Sequence, residues 1–114
     1  MHLISVLALS LLPLAAHATV NGHCSGTATG LYLKEGICIS TSKCNDYGGQ
    51  YITGGCPNDP NDIKCCRIDE AIGDGCAPNN AGYSYCTWTA NGCSGGSWLN
   101  NRCPGGDNYK CCKI

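Results

Sequence analysis

The sequence predicts a small, disulfide-rich, mainly β protein made of two tandem modules, each a compact antiparallel sheet. Three observations carry that prediction. Twelve cysteines occur in 114 residues, all of them after residue 18. They fall into two sets of six with one rhythm, each set closing on an adjacent pair. Sixteen glycines and many asparagines punctuate the chain, phenylalanine is absent, and no stretch keeps an amphipathic 3.6-residue period beyond two turns.

The first residues set the compartment. Leu3 to Leu14 is apolar except for Ser5, Ser10 and Pro13, and Ala15-Ala16-His17-Ala18 follows with the small-x-small pattern of a cleavage site after Ala18. This apolar run is shorter than the ~20 residues a membrane span needs. Residues 1–18 are therefore read as a secretory signal peptide, although the positive leading region is weak, with only the amino terminus and His2. No second apolar run follows, so no transmembrane segment is expected and the protein is expected outside the cell. The cysteine density suits an oxidising compartment, and the even count requires no free thiol. Zinc sites favour Cys-x2-Cys knuckles. The chain has none, and His23 is its sole histidine after residue 18, so no metal and no cofactor are expected.

The first cysteine set is Cys24, Cys38, Cys44, Cys56 and Cys65-Cys66, with intervals of 13, 5, 11 and 8 residues. The second is Cys76, Cys86, Cys93, Cys103 and Cys111-Cys112, with intervals of 9, 6, 9 and 7. Cys56-Pro57 with Ile63-Lys64-Cys65-Cys66 repeats as Cys103-Pro104 with Tyr109-Lys110-Cys111-Cys112. A duplication accounts for this, placing module 1 at 19–66, an acidic linker at 67–75 and module 2 at 76–114. Modules of about forty to fifty residues usually need covalent or metal staples, and three bridges at ~2–4 kcal/mol each could supply most of the stability.

Adjacent cysteines cannot easily bond to each other, because neighbouring Cα atoms lie ~3.8 Å apart while a disulfide spans ~4.4–6.8 Å. In a strand their side chains leave opposite faces, so Ile63–Ile68 and Tyr109–Ile114 are expected as central strands stapled on both sides. Leu31–Leu33, Gly36–Ser40, Gln50–Thr53, Tyr83–Thr89 and Ser97–Leu99 are further strand candidates. Turn clusters such as Asn45-Asp46-Tyr47-Gly48-Gly49 and Pro57-Asn58-Asp59-Pro60-Asn61 separate them.

Six cysteines ending in Lys64-Cys65-Cys66 or Lys110-Cys111-Cys112, with Gly54-Gly55-Cys56 before the fourth, resemble the β-defensin-like module. Similar segments with Cys-Pro-Gly before a terminal Cys-Cys are found in fungal secreted proteins, alone or beside peptidoglycan-degrading domains. The resemblance spans nearly the whole chain after residue 18. It implies two tandem three-stranded antiparallel defensin-like modules. Spacing alone allows fifteen pairings per module; the resemblance implies first to fifth, second to fourth and third to sixth. That gives Cys24–Cys65, Cys38–Cys56 and Cys44–Cys66, then Cys76–Cys111, Cys86–Cys103 and Cys93–Cys112. Three features depart from the family. The long first interval leaves Thr27 to Lys34 for an extra turn or strand. Module 2 has Asn101-Arg102-Cys103 in place of Gly-x-Cys, and asparagine is the next best residue for positive φ. Membrane-attacking defensins are strongly cationic, whereas this chain carries seven basic and eight acidic residues.

No catalytic constellation is visible. His23 lies beside the first cysteine, no thiol is expected to be free, and Asp59 with Asp62 and Asp69 with Glu70 read as solvated loop charges. A carboxylate pair works on glycosides only across a defined cleft, so the protein is expected not to be an enzyme. Binding is the better prospect. Tyr83, Tyr85, Trp88, Trp98 and Tyr109 concentrate in module 2, with Tyr83 and Tyr85 on one strand face and Trp88 on the other. With Arg102 and Lys110 they form the candidate ligand set, with Trp98 favoured as a surface ring; rings that merely cover the disulfides are the competing reading. Module 1 (Cys24 to Cys66) sums to −1 and module 2 to +2, since Arg102, Lys110 and Lys113 face Asp107 alone. The expected partner is a microbial cell-wall polysaccharide or anionic envelope component, bound in an antimicrobial or defence-related role. A host-directed effector, toxin-like or protease-inhibitory role is the alternative. Nucleic acid is not expected, for want of a basic face.

Overall fold

The computed structural model describes residues 20–77 and 82–114; the leader expected over residues 1–18 lies outside them. The described residues form two three-stranded antiparallel sheets. The first has the order β1-β3-β2, built from β1 (Ile37–Ser40), β2 (Gln50–Ile52) and β3 (Ile63–Arg67). The second has the order β4-β6-β5, built from β4 (Ser84–Trp88), β5 (Ser97–Leu99) and β6 (Tyr109–Lys113).

Each adjacent cysteine pair sits on the central strand. Cys65 and Cys66 leave opposite faces of β3, so one face carries Cys24–Cys65 with Cys38–Cys56 and the other carries Cys44–Cys66. In the second sheet Cys76–Cys111 and Cys86–Cys103 lie on one face and Cys93–Cys112 on the other. All twelve cysteines are paired, and no bridge joins the two sheets.

Two short helices flank the first sheet. Leu31–Leu33, expected as strand, belongs instead to helix α1 (Gly30–Glu35). The reason is positional: Tyr32 and Glu35 must both turn inward, and residues three apart share a face on a helix but not on a strand. Leu31, Leu33 and Lys34 are left exposed. The helix stops at Gly36, where a Cβ would lie 2.6 and 2.7 Å from the Cys65 and Cys24 sulfurs. Helix α2 (Thr41–Asp46) starts at Ser40, whose side chain accepts the Lys43 N–H at 3.1 Å, and it carries Cys44 into the core. Before Cys56 and Cys103 the backbone turns left-handed at Gly54 (φ 90°) and at Asn101 (φ 61°). Asparagine thus takes the glycine's role in the second sheet.

The cysteine-for-core exchange expected from composition is only half of what holds the protein together. The Cys38–Cys65 face of the first sheet has its own cluster with Cys24, Ala28 and Cys56, flanked by Tyr32, Ile52 and Ile63. Its other face, with Ile37, Ile39 and Cys66, shares one core with Cys86, Trp88, Tyr109 and Cys111 of the second sheet. The sheets therefore stack head to tail: the third-to-sixth-bridge face of the first meets the opposite kind of face of the second. Pooling a few apolar side chains from each sheet removes more surface from water than either could alone.

Residues 67–75, read from the sequence as an acidic linker, are part of this packing. Arg67 ends β3, and Ile68 is fully buried. The Ile68 carbonyl accepts the Cys86 N–H at 2.8 Å, and Glu70 N–H donates to Ser84 at 3.1 Å. The segment runs along the β4 edge and covers backbone groups that would otherwise be open.

Candidate functional site

A helix end leaves its last carbonyls without partners inside the helix. At the end of α1 three successive carbonyls are taken up by the second sheet. Asn91 Nδ2 donates to Lys34 at 2.9 Å, the Tyr109 hydroxyl to Glu35 at 2.7 Å, and Trp88 Nε1 to Gly36 at 3.1 Å. His23 stacks on Trp88 with centroids 3.8 Å apart, and Trp88 leans on Tyr109 at 4.6 Å. Trp88 and Tyr109, two of the seven residues expected to meet ligand, are therefore interior, 3% and 2% exposed. Each ring fills the shared core while its polar tip caps the helix, which leaves no face for stacking on a partner.

The other five divide into two groups. Tyr83 and Tyr85 are neighbours, ring centroids 5.9 Å apart, on one wall of a cleft of about 350 Å³ between α1 and β4. Leu31, Lys34 and Glu35 form the α1 wall, Asp69 and Thr87 lie at the base, and Asn91 and Ser94 close one end. Trp98 and Lys110 are half-buried and Arg102 is exposed. Register connects the two groups. Tyr85 and Trp98 stand on either side of Cys112, and Thr87 stands opposite Lys110. Directly paired residues share a face, so Tyr85, Lys110 and Trp98 all point from the side of the sheet opposite the shared core. The polar hollow of about 400 Å³ beside Lys110, with Asn100, Asn101 and Asp107, lies beyond β5.

The base of the cleft holds a compact charge cluster. Arg67 Nε donates to Glu35 at 3.0 Å and its NH2 group to Asp69 at 2.9 Å. The second Asp69 oxygen accepts the Ala71 N–H at 2.8 Å and the Tyr83 hydroxyl. Two carboxyl groups share a single guanidinium away from water. Burial, reinforced by the hydrogen bond to Asp69, pushes the Glu35 carboxyl up to about 7 against the pull of Arg67. Burial also works against the Asp69 charge, but the Tyr83 hydroxyl, the Ala71 N–H and Arg67 outweigh it and hold its carboxyl below the usual range. Tyr83 is pushed up to about 12 by burial and by its bond to Asp69. Below about pH 7 the pair is therefore one carboxylic acid and one carboxylate.

Glu35 and Asn91 did not stand out from the sequence, and Asp69, expected with Glu70 to be a solvated loop charge, is instead 2% exposed and bonded to Arg67 and the Ala71 N–H. For Asp69 a signal existed: Cys66, Arg67, Ile68 and Asp69 continue the apolar–polar alternation of β3 past the last cysteine. Glu35 and Asn91 carried none, because their roles depend on which element packs against them.

The chain is 42% identical over 95 residues to a protein of Arthroderma benhamiae described as an uncharacterized secreted protein. The match covers 83% of this chain and 33% of that protein, so the chain spans about a third of the length of the curated relative it matches. No protein-family model matches the sequence, and no solved structure does. The likeness agrees with the leader expected from the sequence and with the six disulfides in placing the protein outside the cell. No helix among the described residues is long and apolar enough to cross a membrane. This is a small, secreted, disulfide-rich protein related in sequence to a secreted fungal one.

Proposed function

We propose that the protein is a non-catalytic binder of microbial cell-wall glycan, and that its contact surface runs from the Tyr83–Tyr85 cleft across the outer face of the second sheet to Trp98. In this reading the two sheets are duplicated defensin-like modules, 19–66 and 76–114, and the duplication has freed one face for a ligand. The observation that carries the proposal is the register placing Tyr85 and Trp98 on the same outward face, with Lys34 and Asn91 at the cleft beside them. Aromatic rings stack on the apolar faces of sugar rings while amides, hydroxyls and lysine ammonium groups bond their hydroxyls. A modest positive balance near Lys110 and Arg102 favours anionic wall polymers as well, with an effect that salt screens.

The test is retention of the oxidised protein on insoluble chitin and on peptidoglycan. Wild type should be retained, and Tyr85→Ala with Trp98→Ala should lose most of that retention while keeping the fold. Absence of retention on every polymer sinks the proposal. Growth inhibition or dye leakage without retention would transfer the same face to a membrane-directed, antimicrobial role.

A further inference from the structure

We propose that the Glu35–Asp69–Arg67 cluster is a proton-operated latch on the cleft: a proton shared between the two carboxyl groups holds Tyr83 and α1 in place, and its loss loosens them. The inference rests on the cleft being the contact site and adds a control to it.

The geometry supplies both parts of a latch. Glu35 closes α1, and the helix end it belongs to is the socket for Trp88 and Tyr109. Asp69 holds the Tyr83 hydroxyl, and Tyr83 forms the opposite wall of the cleft. The two carboxyl groups thus tie the two walls to a common base. The charged and titratable groups facing Glu35 are few. Arg67 comes from β3, Asp69 from the segment after it, Tyr83 and Tyr85 from the β4 side, Tyr109 from β6, and Lys34 from α1 at the rim. Among the described residues Arg67 is the only cation bonded to the pair. With the shared proton present the cluster is neutral. Without it two carboxylates and one guanidinium leave a net charge of −1 in a site nearly closed to water, and the two carboxylates repel each other across the base. Asp69 can relieve this by swinging toward solvent, and that movement releases Tyr83. The proton goes to water; no bond between heavier atoms forms or breaks.

The Glu35 carboxyl, held at about 7 by its burial, sets the working range near neutral pH. If only the protonated form has the closed cleft, affinity for a glycan should fall roughly thirtyfold between pH 5.5 and pH 8.5, the change expected from one titrating group. Glu35→Gln mimics the protonated acid, keeps a donor toward Asp69, and should hold the cleft closed throughout.

The experiment follows the oxidised protein from pH 5.5 to 8.5 by near-ultraviolet circular dichroism, by the carboxyl carbon resonance of Glu35, and by retention on chitin. Wild type should show one transition near pH 7 in the tyrosine signal, coincident with the Glu35 carboxyl titration, and retention should fall with it. Glu35→Gln should lose the tyrosine transition and the pH dependence of retention; should it fail to fold, the wild-type carbon titration still reports the midpoint. His23→Gln should keep the transition, and losing it there would assign the change to the imidazole and overturn the latch. A tyrosine transition in wild type that vanishes in Glu35→Gln, with no polymer retained at any pH, upholds the latch and rejects the glycan reading. A flat tyrosine signal in wild type, a transition unchanged in Glu35→Gln, or measurable retention that does not change with pH overturns the latch.

Discussion

The two sheets have the same strand order and bridge pattern, yet they differ in what their faces meet. Ile37 stands opposite Cys66 in the first sheet and Tyr85 opposite Cys112 in the second. By the same register Ile39 corresponds to Thr87, and Tyr51 to Trp98. On the first sheet the β1 half of this face is aliphatic and covered, with Ile37 and Ile39 buried against the second sheet, while Tyr51 on β2 stays exposed. On the second sheet the matching positions hold Tyr, Thr and Trp: Thr87 is buried and bonded by Asn91, while Tyr85 and Trp98 are half-buried at the surface. In a head-to-tail stack one such face must end without a neighbour, and terminal faces of stacked units are generally the more polar ones. The lesson is that two sheets of one topology present the same face differently: Ile37 and Ile39 are taken up in the shared core, and Tyr85 and Trp98 are not.

The largest effect that would break this comparison comes from the two tryptophans. Trp88→Ala should lower unfolding free energy by about 3–5 kcal/mol, because it empties the shared core and uncaps Gly36. Trp98→Ala should cost about 1 kcal/mol or less and act on binding instead. Thermal unfolding of both variants checks this, and equal losses would mean that the two faces are not distinct. The bridges give the next contrast. Replacing Cys44 and Cys66 by Ala should cost about 3–4 kcal/mol, since that bridge lies in the shared core, whereas the same change at Cys93 and Cys112 on the open face should cost nearer 2. Denaturant titration of the two double variants measures the difference.

The cluster between the sheets sharpens the comparison through pH. The Glu35 carboxyl rises from an ordinary 4.5 to about 7 on folding, so the folded protein binds the extra proton between these values. Its stabilising contribution is complete below pH 4.5 and is lost as pH rises through 7, a fall of roughly 2–3 kcal/mol. Asp69 acts in the other sense, contributing above the ordinary carboxyl range and losing its effect as acid approaches its lowered value. The melting temperature should therefore peak near pH 4.5 and decline toward pH 8, with the decline abolished in Glu35→Gln. A smaller loss than the pH-dependent one is expected of Tyr109→Phe. It keeps the ring and strands the Glu35 carbonyl, so a loss of about 1–2 kcal/mol is expected from denaturant titration.

Much of the fold was legible because cysteine geometry is local. Adjacent cysteines must face apart, which identified β3 and β6 as central strands before any contact was known. Asn101 announced a left-handed turn by standing where Gly54 stands in the other set. The site was less legible. Period-two counting placed Tyr83 with Tyr85 and Trp88 opposite them, and that arrangement is the one observed. It could not show that the face beneath Trp88 and Tyr109 would be filled by Ile37, Ile39 and Ile68. Alternation tells which residues share a side, whereas burial depends on a neighbour up to seventy-four residues away. Leu31–Leu33 was misread as strand for the same reason. Its helical state is fixed by Tyr32 and Glu35 needing one face, a demand made by tertiary packing and not by propensity.

The socket at the end of α1 also bears on the order of events in folding. Its donors lie far along the chain: Trp88 is fifty-two residues from Gly36 and Tyr109 seventy-four from Glu35. Contacts that close such long loops form late, after local turns and hairpins. Until β4 and β6 are in place the last turn of α1 has bare carbonyls and should fray, even where the bridges of the first sheet are already made. Oxidation of the first six cysteines alone would thus not complete its final shape, because the end of α1 depends on donors from the other sheet.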